Sequence, residues 1–155
     1  MWLLAYCLFA QADEGSLCVK DEKVIFSCAT KDKKVISICA TPVLTMETGT
    51  LSYRFGTTGK VEIEFPKNKN TGTKSFRYSR YTRPLPMATT ILSLSFTHSD
   101  GKYTIFSHTH CENDDPCEES SGVRLENGKT FQEQSCVSTP KVNALWDLEG
   151  LVQQE

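Results

Sequence analysis

The feature that most constrains this chain is alternation with a period of two, cut at short intervals by turn residues. Val61-Glu62-Ile63-Glu64-Phe65 is the cleanest instance, apolar on one side and acidic on the other. Successive side chains on a strand point to opposite faces, so this pattern predicts a half-buried strand with both glutamates toward solvent. Upstream, Leu51, Tyr53 and Phe55 alternate with Ser52 and Arg54, and Gly56-Thr57-Thr58-Gly59 supplies the positive-φ positions of a hairpin turn. The arrangement recurs in Lys23–Cys28 and Lys34–Cys39 around Lys31-Asp32-Lys33, in Thr90–His98 and Lys102–His108 around Ser99-Asp100-Gly101, and in Val123–Glu126 and Lys129–Cys136 around Asn127-Gly128. With one more strand near Lys74–Tyr81, the chain reads as an all-β antiparallel meander of about eight or nine strands, a sandwich or a small barrel. Leu51, Tyr53, Phe55, Val61, Ile63 and Phe65 are expected to pack its core. One short C-terminal helix is expected at Ala144–Leu151, capped by Asn143, with Leu145 and Leu148 turned inward and Gly150 weakening it. Pro42–Thr50 and Pro66–Thr73 read as loops.

Compartment follows from the other end of the chain. The uncharged run Trp2–Ala10 closes on Ala10-Gln11-Ala12 and is followed by Asp13-Glu14, the pattern of a signal peptide over residues 1–12 with a small-residue cleavage site. Its apolar stretch is far short of the ~20 residues a membrane-spanning helix requires. A mature domain over 13–155 keeps Cys18, Cys28, Cys39, Cys111, Cys117 and Cys136, an even set of six once Cys7 is removed. Their spacings lack the tight C-x-x-C pairs of a zinc site and fit a disulfide framework, whose connectivity sequence leaves open among 15 pairings.

Val24-Ile25-Phe26-Ser27-Cys28, Lys34-Val35-Ile36-Ser37-Ile38-Cys39, Tyr53-Arg54-Phe55-Gly56 and Gly59-Lys60-Val61-Glu62-Ile63-Glu64-Phe65-Pro66 occur in this order. Together with Gly122-Val123, Gly128-Lys129 and Cys136, they resemble a family of small exported (periplasmic) bacterial proteins of unassigned function. The resemblance spans nearly all of the mature chain and implies bacterial export and an all-β domain. It carries no catalytic residue across. The Cys111–Cys117 stretch departs most from it and is where any property particular to this chain is expected.

A net charge of −2 gives no reason to expect a nucleic-acid partner, but the distribution of charge is uneven. Cys111-Glu112-Asn113-Asp114-Asp115-Pro116-Cys117-Glu118-Glu119 places five carboxylates in nine residues, within reach of closure by their own short disulfide. A pre-organised acidic loop has the physics of an electrostatic probe for a basic cleft, so Glu112, Asp114, Asp115, Glu118 and Glu119 are the first candidates for partner binding. Lys74–Arg83 interleaves Arg77, Arg80 and Arg83 with Tyr78 and Tyr81 and is an alternative binding surface, suited to anionic glycan or lipid headgroups or acting as a solvated edge strand.

Catalytic signatures are missing. No Gly-x-Ser-x-Gly elbow occurs, and Glu62 and Glu64 sit on a face expected to be wet, where burial would not raise a general acid's pKa. His108 and His110, two apart on a strand, share a face, but a hairpin about Asp100-Gly101 would put His98 ~20 Å or more away, so no metal site and no cofactor are assigned. The acidic loop also lacks the Asp-x-Asp-x-Asp-Gly spacing of a calcium loop. The expectation is therefore an exported, periplasmic or secreted binding protein, most concretely an inhibitor or immunity-type protein of the bacterial envelope. Its partner would be another protein, such as a basic wall-degrading hydrolase or a toxin. A structural or ligand-binding envelope protein is the alternative reading, and a metal-assisted hydrolase the third.

Overall fold

A computed structural model describes residues 15–113 and 115–155. The proposed signal peptide and the start of the mature chain lie outside these residues, as does Asp114. Ten strands run in chain order: β1 (Lys23–Ala29), β2 (Val35–Ala40), β3 (Leu51–Thr57), β4 (Lys60–Phe65), β5 (Arg77–Arg83), β6 (Met87–His98), β7 (Gly101–Glu112), β8 (Glu118–Asn127), β9 (Thr130–Ser135) and β10 (Val142–Asn143). They form two five-stranded antiparallel sheets, ordered β10-β1-β2-β3-β4 and β5-β6-β7-β8-β9, packed as a sandwich. Every hairpin read from the alternation is present, and the two-residue β10 is added at the β1 edge.

The sheets pack crosswise. β4 sets Ile63 beside Val123 and Leu125 of β8 and, two residues on, stacks Phe65 on Phe96 of β6 with ring centroids 4.2 Å apart. A strand that moves from β8 to β6 within two residues runs across the other sheet's strands. The shared core gathers Phe26, Ile36, Ile38, Leu51 and Tyr53 from one sheet and Leu92, Leu94, Phe96, Tyr103 and Ile105 from the other. Of the expected core set, Leu51 and Tyr53 are buried and Phe55, Ile63 and Phe65 are half-buried, whereas Val61 is 44% exposed. The register shift between Phe55 and Gly56 and the edge position of β4 carry Val61 off the packed face.

Three disulfides pair the six cysteines among the described residues: Cys18–Cys39, Cys28–Cys136 and Cys111–Cys117. The first fastens the 15–22 segment over the outer face of the β1–β4 sheet, where Leu17 is buried and its amide donates to Ser37 Oγ at 2.9 Å. The face expected to be wet from alternation is therefore covered at Ser37, Ser52 and Arg54, while Glu62 is exposed as expected and Glu64 is half-buried. Arg54, 6% exposed, donates to Glu22 (2.5 and 3.0 Å), Glu64 (3.0 Å) and the carbonyl of Leu17 (3.2 Å). Burial works against ionisation of Glu22 and Glu64, but the hydrogen bonds from Arg54, from the Val19 amide and from Lys69 outweigh it and hold both carboxyls below their ordinary value.

The expected C-terminal helix is instead a single 3₁₀ turn, Leu145–Leu148. Leu145 and Leu148 are buried as expected, but Asn143 is no cap. It lies in β10, and its amide donates to Ser107 Oγ at 2.7 Å. Gly150, at φ +80°, turns the chain out of any continuing helix. The tail then runs beside β5, where the Tyr78 amide donates to Gln153 O and the Glu155 amide to Tyr78 O, both at 2.9 Å.

Candidate functional site

β6 and β7 have 12 residues each, against six or seven for β1 to β4. Their excess projects beyond the β10 edge of the first sheet. Inward positions past Leu92 and Ser107 are Thr90, Ala88, Thr109 and Cys111, all half-buried and small or polar, as residues past the end of a core should be. Both charged segments singled out from sequence reach this overhang, from opposite edges of one sheet. Across its outer face, Arg83 of β5, Thr89 of β6, His110 of β7 and Glu118 of β8 stand in one row, and Tyr81, Ile91, His108 and Ser120 in the next. Cation and carboxylate are thus separated by three strand spacings, ~14 Å.

The acidic tip is the turn from β7 to β8, clamped by Cys111–Cys117 with a Cα–Cα distance of 4.2 Å. Asn113 takes φ +50°, its amide donates to Pro86 O at 3.1 Å, and the Asp115 amide donates to Glu112 O at 3.0 Å. The turn is therefore braced against the start of β6 as well as cross-linked. Glu118 and Glu119 belong to β8 rather than to a loop, so alternation sends them to opposite faces. Glu118 faces outward opposite His110, and Glu119 accepts a hydrogen bond from Thr139 Oγ1 at 3.3 Å. Glu112, Asp115, Glu118 and Glu119 are all exposed, and among the described residues none forms an ion pair. Elsewhere, Glu62 is matched by Lys34 at 2.8 Å, Glu133 by Arg124 at 2.8 Å and Asp147 by Lys23 at 2.7 Å, while Asp21, Asp32, Glu47 and Glu126 are exposed without an ion pair among the described residues but lie singly on separate segments.

The basic strand does not act as one surface. Tyr78 is wholly buried in the core, and burial pushes its phenol above the ordinary value. Arg80 is bound by Glu149 at 3.0 Å and lies over the Trp146 ring, 5.4 Å from its centroid. Arg77 turns back on its own turn, Nη1 donating to Lys74 O at 2.9 Å and Phe76 O at 2.8 Å. Of the five residues proposed for this surface, Tyr81, 53% exposed, and Arg83 face solvent without a partner among the described residues. The C-terminal tail covers the edge at Tyr78, which alternation within β5 had no means of showing.

The histidines separate as the hairpin geometry requires. His108 and His110 share the outer face with ring centroids 6.5 Å apart, while His98 sits at the opposite end of the hairpin, seven residues or ~23 Å along β6 from the partner of His108. His98 is engaged by Asp100, Nδ1 to Oδ1 at 2.9 Å, and Asp100 also accepts the Tyr103 hydroxyl at 2.7 Å. Cys18, Glu22 and Cys39 form a tight group with metal-ligand atoms, but the two sulfurs are bonded to each other and are not thiolates. No helix among the described residues is long and apolar enough to cross a membrane.

Sequence reasoning did not assemble the concavity at the His98 end of the β6–β7 hairpin, where Phe65, Ser75, Arg77, Thr97 and Lys102 meet. These residues come from two strand ends, a connector and the hairpin, and nothing in their spacing announces proximity. Comparison of the chain with protein-family models, with curated proteins and with solved structures found no match in any of the three.

Proposed function

We propose that this chain is an exported binding domain of the bacterial envelope that engages a basic protein through the acidic tip between β7 and β8. The observation that carries this reading is the clustering of unpaired charge: the tip's described carboxylates are exposed, close together and without an ion pair on a cross-linked, braced turn. Crowded like charges without counter-charges destabilise the fold, whereas a rigid array of them attracts a cationic cleft at long range and loses little entropy on docking. Three disulfides fit an oxidising compartment. A cationic wall-degrading enzyme of the lysozyme kind or a delivered toxin has the required surface chemistry, which makes an inhibitor or immunity role the most concrete form of the proposal.

The test is capture of partners from envelope and neighbouring-cell extracts, repeated with Asp114, Asp115, Glu118 and Glu119 changed to Asn or Gln. A single stoichiometric basic protein should be retained by the native chain. Its association rate should fall about tenfold or more in the neutralised variant. The native rate should fall likewise as salt shortens the screening length from ~10 Å at 0.1 M to ~3 Å at 1 M. A partner whose on-rate ignores both the substitutions and the salt would refute the proposal.

A further inference from the structure

The crosswise packing creates a second, chemically different feature at the far end of β6 and β7, eleven residues or ~36 Å along β6 from the acidic end. β6 pairs with β7 through Thr97↔Lys102 and His98↔Gly101, but its pairing with β5 stops at Arg77↔Ser95. Beyond that point β6 has no strand neighbour on one side, and the end of β4 lies across the gap. Two adjoining concavities of ≈ 450 and ≈ 540 Å³ result, sharing Phe65, Ser75 and Thr97. Each is within the ~300–1,000 Å³ range of small-ligand sites.

The walls of the cleft are of three kinds. Phe65 stacks on Phe96 at 4.2 Å and 11°, and Phe76 and His98 meet the Phe65 ring in T-shaped contacts at 5.5 and 6.2 Å, so the half-buried Phe65 ring is a fixed apolar part of the wall. Ser75 and Thr97, both exposed, line both concavities, and their hydroxyls make no hydrogen bond among the described residues, leaving each free to donate and accept. Lys67, Lys74, Arg77 and Lys102 bring four cations against the single carboxylate of Glu155, which pairs with Lys102. Lys67 and Lys74 have no ion-pair partner among the described residues, and the two carbonyls that hold Arg77 Nη1 leave Nε and Nη2 without a carboxylate.

We infer that this cleft binds an anionic saccharide, a sugar bearing a carboxylate or phosphate group. The apolar Phe65 ring suits the C–H groups of a pyranose, open hydroxyls suit its hydroxyls, and the excess of cations supplies the site for the acid. An apolar ligand would leave the cations and hydroxyls desolvated without partners, and a neutral sugar would leave the cations unanswered.

The experiment is an amide-resolved NMR titration of the oxidised protein with digalacturonate, with maltose as the neutral probe and inorganic phosphate as the bare anion. Digalacturonate should move the signals of Ser75, Arg77, Thr97 and Lys102 while maltose leaves them in place. Lys74→Glu, at an exposed side chain without a hydrogen bond, should weaken digalacturonate about tenfold, and Lys31→Glu on the β1–β2 turn should not. Thr97→Val should weaken it severalfold without altering charge, and the spectra themselves report whether each variant is folded. The inference is overturned if digalacturonate leaves the cleft signals unmoved or if Lys74→Glu binds it as well as the native chain does. It is also overturned if phosphate binds as tightly as digalacturonate, or if the protein is retained by phosphatidylglycerol vesicles and not by the sugar.

Discussion

Replacing Cys28 and Cys136 together by Ala cuts the disulfide that ties β1 of one sheet to the chain leaving β9 of the other. The three bridges close loops of very different length, with sequence separations of 108, 21 and 6 for Cys28–Cys136, Cys18–Cys39 and Cys111–Cys117. In the chain-entropy treatment these correspond to losses of ~4.8, ~3.3 and ~2.2 kcal/mol when each is removed. Packing reinforces the order at the top, because Cys28 is buried in the shared core and Cys111 is only half-buried on the overhang. Against a total stability of ~5–15 kcal/mol, the first loss is a third or more of the whole. For a chain of this size it corresponds to a fall of ~10–20 °C in melting temperature. Urea unfolding of the three double-Ala variants measures the series directly. The denaturant slope should rise most for Cys28→Ala/Cys136→Ala, since the uncrosslinked denatured chain exposes the most new surface. If removing Cys111–Cys117 costs as much as removing Cys28–Cys136, loop closure is not what these bridges contribute, and the reasoning fails.

The Arg54 cluster predicts an acid limb in stability. Folding lowers the pKa of both Glu22 and Glu64, so their contribution is complete above the ordinary value of 4.5 and is lost as pH falls through the depressed folded values. Glu22→Gln or Glu64→Gln should flatten that limb in a stability–pH series, and Arg54→Met, which strands a partly buried carboxylate, should cost about 3 kcal/mol by denaturant titration at pH 7. Gly122→Ala places a Cβ 2.3 Å from the Gln134 carbonyl oxygen within the β8–β9 pair, so backbone has to move. A loss of about 2 kcal/mol is expected, and a neutral result by thermal melting would show that β9 yields easily.

The strands and their hairpins were legible in the sequence because alternation and turn chemistry are local. Val61–Phe65 with its Gly56–Gly59 turn, and the Asp100-Gly101 and Asn127-Gly128 reversals, specify antiparallel pairs without reference to the rest of the chain. The acidic character of Cys111–Glu119 was equally plain, since charge density is a property of composition. Alternation tells which residues share a face and is silent on what covers that face. Whether Arg54 meets water or Glu22 depends on a segment more than thirty residues away, and whether Tyr78 is an edge aromatic or core depends on the tail and on the opposite sheet. A helix at Ala144–Leu151 was a reasonable local preference that lost to the amide of Asn143 finding Ser107 and to Gly150 turning the chain. The cleft at Phe65 lies furthest from the reach of sequence. It exists because two sheets cross and one strand ends before its neighbour, a long-range packing outcome that no residue in its walls encodes alone.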